Sequence, residues 1–342
     1  MTITRLFQAH GEYGNGSHLY EWTFASSGSI NTSNPHTGAA SYSNAASVYY
    51  RKTLPSVCSQ GRLSFWFHHN DVSSGDKPRL FSFRKSSAHK LEIFCDATTL
   101  SLEIGGVEKA SETRPAGWTT GEWHRIGFDF KIAASGWAVL YIDEEAVLTF
   151  EGDTTGGGSD FDEFQILNNS FTVTWASTNY FDDFYLDDTA GEATYASPPD
   201  VRFARLLPTG NGTENDFTAS GAGDNYQQVD DESATGDTDY VYASSAGLDD
   251  RYTHDAYSVP EGFQIEAVIY AAALRRTSGA IATTAILTGK NGGDEYASDE
   301  ITPTTSTVAY FDRQTTSPSG AAWTADALNA TEFGVRSAGD YS

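Results

Sequence analysis

Apolar and polar residues alternate with period two along much of this chain, most clearly over residues 118–150. Trp123, Arg125, Gly127 and Asp129 alternate there with His124, Ile126, Phe128 and Phe130. After a short link, Trp137, Val139 and Tyr141 alternate with Ala138, Leu140 and Ile142. Successive side chains of a strand point to opposite faces, so each run predicts a strand with one face to bury. Ser135-Gly136 marks the turn between the two. Asp143–Glu145 then turns the chain into a further strand over 146–150.

The same period predicts strands over 19–24, 41–43, 47–52, 61–70, 79–84, 90–95, 99–104, 164–167, 172–175 and 180–187. In 61–70, Leu63, Phe65 and Phe67 oppose Ser64, Trp66 and His68. About a dozen strands in the first 190 residues have the size of a jelly-roll sandwich. Residues 190–200 read as a linker: small residues without periodicity, stiffened by Pro198-Pro199. Beyond it the chain is rich in Ala, Gly, Ser and Thr. Strands are expected over 240–243, 262–273, 280–288, 307–314 and 332–336, with a short helix over 325–330. The expected architecture is all-β: a jelly roll over 1–189, the linker 190–200, and a second, smaller β-sandwich-like domain over 201–342.

Composition supports this class. Aromatic residues make up 13% of the 342 residues, and the initiator is the only Met. The formal net charge is −25. Residues 200–342 hold eight Lys and Arg against 22 Asp and Glu; the preceding residues hold 13 against 24. Nucleic-acid binding needs clustered cations, so that partner is not expected. No run approaches the roughly 20 apolar residues of a membrane helix, and the first residues lack the apolar core of a signal peptide. Cys58 and Cys95 do not make a disulfide framework and read as buried thiols or a single bridge. Synthesis in a host cytoplasm without export is the expectation.

The segment Thr-Thr-Gly-Glu-Trp-His-Arg-Ile (119–126), followed by Trp-Ala-Val-Leu-Tyr-Ile-Asp (137–143), resembles the central hairpin of the concanavalin A-like superfamily in its laminin-G-like branch. The match includes Gly121, Trp123, His124, Ile126 and Asp143. It departs at Glu144, where that family usually has Gly, so a turn requiring positive φ would be strained there. Residues 4–9, 36–43 and 180–188 are similar to laminin-G-like proteins of tailed bacteriophages. Residues 205–212, 237–241 and 321–335 resemble a module of tailed-phage structural proteins. The resemblance implies a virion protein without fixing the surface it occupies; since no coiled-coil heptads or repeats build a fibre shaft, decoration of the capsid or tail exterior is expected, in contact with major capsid or tail proteins and its own copies. Weak adhesion to host-surface glycans would gain avidity from many copies. The alternative it leaves is a tail-tip or tail-fibre receptor-binding protein.

Candidate chemistry is sparse. A glucanase of the superfamily would carry paired carboxylates on one strand face; the nearest string, Asp160-Phe161-Asp162-Glu163, puts Glu163 on the other face. No enzymatic activity is therefore expected. If Phe65 and Phe67 fill the core, Trp66 and His68 face outward. Trp66, His68 and Tyr180 are then candidate carbohydrate-binding residues, because an exposed ring stacks on a sugar. The competing reading for Trp66 is packing against its own sheet or a neighbouring subunit. Asp182 and Asp183 are candidate calcium ligands, calcium being satisfied by several oxygens; no other cofactor is expected. His68, His69 and His124 lack the fixed ligand spacing of a zinc site. Asp230-Asp231-Glu232 and Asp249-Asp250 read as solvated loops.

Overall fold

Strand pairing turns the period-two pattern into a two-sheet sandwich followed by a second β unit. The computed structural model describes residues 4–9, 22, 24–25, 29–37, 41–44, 49–70, 77–86, 88–166, 178–190, 197–231, 238–277 and 282–340. The strand expected over 172–175, and most of that expected over 19–24, lie outside the described residues. The chain divides into two compact units, Met1–Arg205 and Leu206–Ser342.

The described strands of the first unit are β1 (Thr4–Ala9), β2 (Phe24–Ala25), β3 (Ser29–Asn31), β4 (Ser41–Asn44), β5 (Tyr50–Cys58), β6 (Gln60–His68), β7 (Arg79–Lys85), β8 (Ala88–Cys95), β9 (Thr99–Ile104), β10 (Val107–Thr113), β11 (Trp123–Lys131), β12 (Gly136–Ile142), β13 (Glu145–Gly152), β14 (Phe161–Ile166) and β15 (Asn179–Asp188). The front sheet runs β13-β12-β11-β6-β15-β4-β3, with β1 also paired to β15; the back sheet runs β10-β9-β8-β7-β14-β5-β2. The pairings are antiparallel. Leu63, Phe65 and Phe67 on β6 and Ile126, Phe128 and Phe130 on β11 point inward and are fully buried. They meet Phe81, Phe83, Phe161 and Phe164 of the back sheet. Phe83 packs 4.4 Å from Phe161 and 4.6 Å from Phe130, centroid to centroid. Such ring pairs add to the burial of large apolar side chains.

The outer face of the back sheet is an ionic layer. Glu163 pairs with Arg84 at 2.6 Å and Arg51 at 3.4 Å, and Arg79 pairs with Glu92 at 2.7 Å. Lys85 takes Asp160 at 2.7 Å. β10 was not singled out by its pattern because it is an exposed edge strand with charged side chains, the usual guard against edge pairing. Cys58 and Cys95 are free and buried, and burial pushes both thiols up to about 12.

The β12–β13 hairpin keeps Glu144 where the resemblance expects Gly. Asp143 (φ +49°) and Glu144 (φ +74°) both take left-handed backbone, as a two-residue hairpin turn requires. Side-chain bonds offset that strain. Asp143 accepts the Arg125 amide at 2.8 Å and lies 2.7 Å from His124 Nδ1, and Glu144 pairs with Arg125 at 3.0 Å.

The second unit holds β16 (Pro208–Asn215), β17 (Thr218–Ala219), β18 (Val241–Tyr242), β19 (Asp249–His254), β20 (Val268–Leu274), β21 (Ala282–Asn291), β22 (Asp294–Ala297), β23 (Val308–Gln314) and β24 (Glu332–Asp340). Helix α1 (Ala325–Asn329) starts at Thr324, whose hydroxyl caps the Ala327 amide. The main sheet runs β16-β19-β24-β21-β22, with β17–β18 and β20–β23 as separate pairs. Tyr270, Leu287, Trp323 and Leu328 form a small core.

Asp249 and Asp250, expected in a solvated loop, instead begin β19 and are buried. Asp249 belongs to an ion network around Arg251, which is 1% exposed. Arg251 pairs with Asp249 at 2.6 Å, Glu295 at 2.8 Å and Glu214 at 3.4 Å. Arg336 bonds the same Asp249 and Glu295, and Lys290 bonds Glu214. Gly334 is required beside it, because a Cβ there would meet the Asp250 carbonyl at 2.0 Å and Arg251 Cα at 2.8 Å. On the other face Asp250 accepts Asn225 at 3.0 Å and the Tyr252 hydroxyl.

Two stability predictions follow from these buried groups. Arg251→Met strands three carboxylates that share only Arg336 and Lys290, and is expected to destabilise the second unit by about 3 kcal/mol in urea unfolding. A loss under about 1 kcal/mol would contradict the network's structural role. His69 is fully buried between Phe67 and Trp118 with neither ring nitrogen bonded. Burial first, then the charges of Arg114, His124 and His68, lower it to about 4. The unfolded chain then binds the proton more readily, so stability falls as pH drops from about 6.5 and the loss is complete near 4. The size is about 3 kcal/mol. His69→Phe is expected to remove that part of the acid sensitivity; identical acid profiles for the two proteins would contradict it.

Candidate functional site

The site follows from the register of three strands. With Phe65 and Phe67 inward, the outward residues of β6 pair with outward residues of β11 and β15 in successive rows. Trp123, His68 and Tyr180 make the first row. Arg125, Trp66 and Asp182 make the second, and Gly127, Ser64 and Tyr185 the third. Directly opposed side chains of neighbouring strands touch. His68 accordingly lies 5.4 Å from both the Trp123 and Tyr180 ring centroids.

The second and third rows are covered by residues 198–203, which begin with the last three residues of the stretch that reads as a linker. Asp200 accepts the Trp66 indole N–H at 3.0 Å, Pro198 O accepts Arg125 Nη1 at 2.6 Å, and Pro199 O accepts the Tyr185 hydroxyl at 2.8 Å. Gly127 leaves room for this strap: a Cβ there would meet Pro198 Cδ at 3.0 Å. Residues 191–196 of the expected linker lie outside the described residues.

The bulge in β15 supplies the remaining members. The register shifts between Asp182 and Tyr185, with Asp183 in left-handed backbone at φ +50°. Both aspartates are buried and their oxygens serve protein donors. Asp182 accepts the amides of His36 (3.1 Å), Thr37 (3.3 Å) and Asp183 (2.9 Å). Asp183 accepts the Thr37 hydroxyl at 2.7 Å and the Phe203 amide at 2.9 Å, and lies 2.8 Å from His36 Nδ1. Among the described residues no group of three or more His, Cys, Asp or Glu is placed to hold a metal ion.

These contacts lay His36 flat on Trp66, with centroids 3.8 Å apart and planes 16° apart. Its other edge meets Trp123 at 5.4 Å. Trp66, His36, Trp123, His68 and Tyr180 therefore form one continuous run of rings. Trp66, His36, Trp123 and Tyr180 are half-buried and His68 is buried. Burial lowers the His68 ring below its ordinary range, and its Nδ1 has no partner. The structure thus brings Trp66, His68 and Tyr180 together, and puts Asp182 and Asp183 behind them as supports of the 36–37 loop. Sequence reasoning did not single out His36 or Trp123 as site residues. The alternation placed Trp123 on the Arg125 face, but only the β6–β11 register puts it beside His68.

No protein-family model matches the sequence, and no curated protein matches it. Solved structures do resemble the chain. A carbohydrate esterase from Shiga toxin-encoding bacteriophage phi24B is 15% identical, covering 55% of this chain and all of that one, with a TM-score of 0.41. An endo-β-1,4-glucuronan lyase from the fungus Trichoderma reesei is 13% identical, covering 58% of this chain and all of that one, with a TM-score of 0.39. An alginate lyase is 15% identical, covering 54% of this chain and 96% of that one, with a TM-score of 0.37. Likenesses at this level assign no activity to the chain. The expectation of no enzymatic activity is nonetheless corrected by them, since the similar structures include a carbohydrate esterase and polysaccharide lyases.

Proposed function

We propose that this protein engages glycans through the ring-lined end of its front sheet, on the exterior of a tailed-phage particle. The observation that carries the glycan reading is the run Trp66–His36–Trp123–His68–Tyr180, which leads from the strap-covered second row onto the partly open first row. Half-buried rings fixed by packing offer flat apolar area at low entropic cost, beside unengaged polar atoms. The Trp123 indole N–H and the Tyr180 hydroxyl have no hydrogen-bond partner among the described residues.

The virion placement rests on the sequence resemblance at 4–9, 36–43, 180–188 and through the second unit. Capsid or tail proteins and further copies of the chain are the partners it calls for. Repetition on one particle would turn weak single-site binding into firm adhesion. Reconstruction of the particle by electron microscopy tests this placement. Density at regular shell or tail positions supports it, and absence from the particle overturns it.

Trp123→Ala tests the site. Removing this central, half-buried ring is expected to weaken glycan binding, followed by indole fluorescence, at least tenfold, about 1.4 kcal/mol. The thermal melt should change little, because Trp123 is outside the core. Unchanged affinity in a folded variant would move the site elsewhere.

A further inference from the structure

His36 is held as a catalytic base is held. Asp183, whose carboxylate is an acceptor, lies 2.8 Å from Nδ1 and accepts its N–H. The same carboxylate is anchored by Thr37 and Phe203, and residue 183 keeps a backbone conformation unusual for a non-glycine residue. Such outliers persist where the surroundings over-determine them. Asp182 fixes the loop by accepting the His36 and Thr37 amides, and the stack on Trp66 fixes the ring plane. With Nδ1 donating, the lone pair of the uncharged ring is on Nε2. Nε2 has no hydrogen-bond partner among the described residues, and the side chain is 12% exposed.

The neighbouring groups narrow the chemistry. Glycosidic hydrolysis needs two available carboxylates, whereas Asp182 and Asp183 are buried and engaged. Elimination beside a uronate carboxylate needs a cation to withdraw charge, and Arg125 in the second row is committed to Pro198 O and Glu144. The Thr37 hydroxyl donates to Asp183, so it is not poised as a nucleophile. What remains is an oriented base that is partly exposed, and two donors, at Trp123 and Tyr180, without partners among the described residues.

We propose that His36 and Asp183 form a general-base dyad that hydrolyses O-acyl esters on a glycan held against the ring row; this rests on the glycan-binding reading. A water oxygen bonds to the ester carbonyl carbon as His36 Nε2 takes its proton. The indole N–H of Trp123 and the hydroxyl of Tyr180 are the donors for the tetrahedral oxyanion. Collapse breaks the carbon–oxygen bond to the sugar, and Nε2 returns the proton to the departing sugar oxygen. The products are the carboxylic acid and the free glycan hydroxyl. Asp183 holds the ring through Nδ1 and acts as a positioning residue.

The test measures acetate release from O-acetylated xylan, and turnover of 4-nitrophenyl acetate, alongside xylan affinity by indole fluorescence. His36→Gln is expected to lower kcat at saturating substrate about 100-fold, beyond any change in xylan affinity that loss of its ring brings. His36→Gly should regain turnover when imidazole is added, a response that lost packing would not produce. Asp183→Asn should lower kcat with KM unchanged. Binding of xylan without ester cleavage by the wild-type protein would overturn the dyad and leave the glycan reading standing. Cleavage that survives His36→Gln would also overturn the dyad. Neither binding nor cleavage would overturn both.

Discussion

The register of β6 between β11 and β15 is the constraint on which the rest of this structure depends. Phe65 and Phe67 fill the sandwich interior, and burying each contributes about 1.5–3 kcal/mol. A one-residue slip would exchange them with Trp66 and His68 and reverse the strand's faces. Core packing therefore sets which residues face outward and which cross-strand partners they meet. Trp123, His68 and Tyr180 share a row because Phe67 and its neighbours are on the other side.

On that frame, two local devices divide the outer face. The strap over residues 198–203 covers Trp66, Arg125 and Tyr185 and satisfies a polar group of each. The β15 bulge at Asp183 turns two buried carboxylates toward the 36–37 loop and brings His36 onto Trp66. The first row, extended by His36, stays partly open. That end of the sheet gathers the rings, the His36 imidazole held by Asp183, and the Trp123 and Tyr180 donors, which have no partner among the described residues.

Much of the sandwich was legible in the sequence because period-two alternation reports directly which face is buried. The runs over 61–70 and 123–130 gave both the strands and their inward phenylalanines. Val107–Thr113 was hidden because an edge strand has no buried face to pattern. Asp249-Asp250 looked like a loop because the pattern carries no sign that Arg251 and Arg336 supply the compensating charge. The outward placement of Trp66 and His68 was readable, but His36 was not. It comes from a loop about 30 residues upstream and reaches the site through hydrogen bonds to β15. Glu144 shows the same limit: left-handed backbone is tolerated there because Asp143, His124 and Arg125 hold the turn.

The central claim, that glycans bind at the ring row, is tested most directly by indole resonances. The chain has seven tryptophans, of which Trp22 and Trp118 are buried in the core. During titration of the labelled protein with glycan oligosaccharides, the Trp123 and Trp66 signals should shift saturably while those of Trp22 and Trp118 stay in place. Saturable shifts confined to other tryptophans, or no shift with any oligosaccharide, would contradict the account.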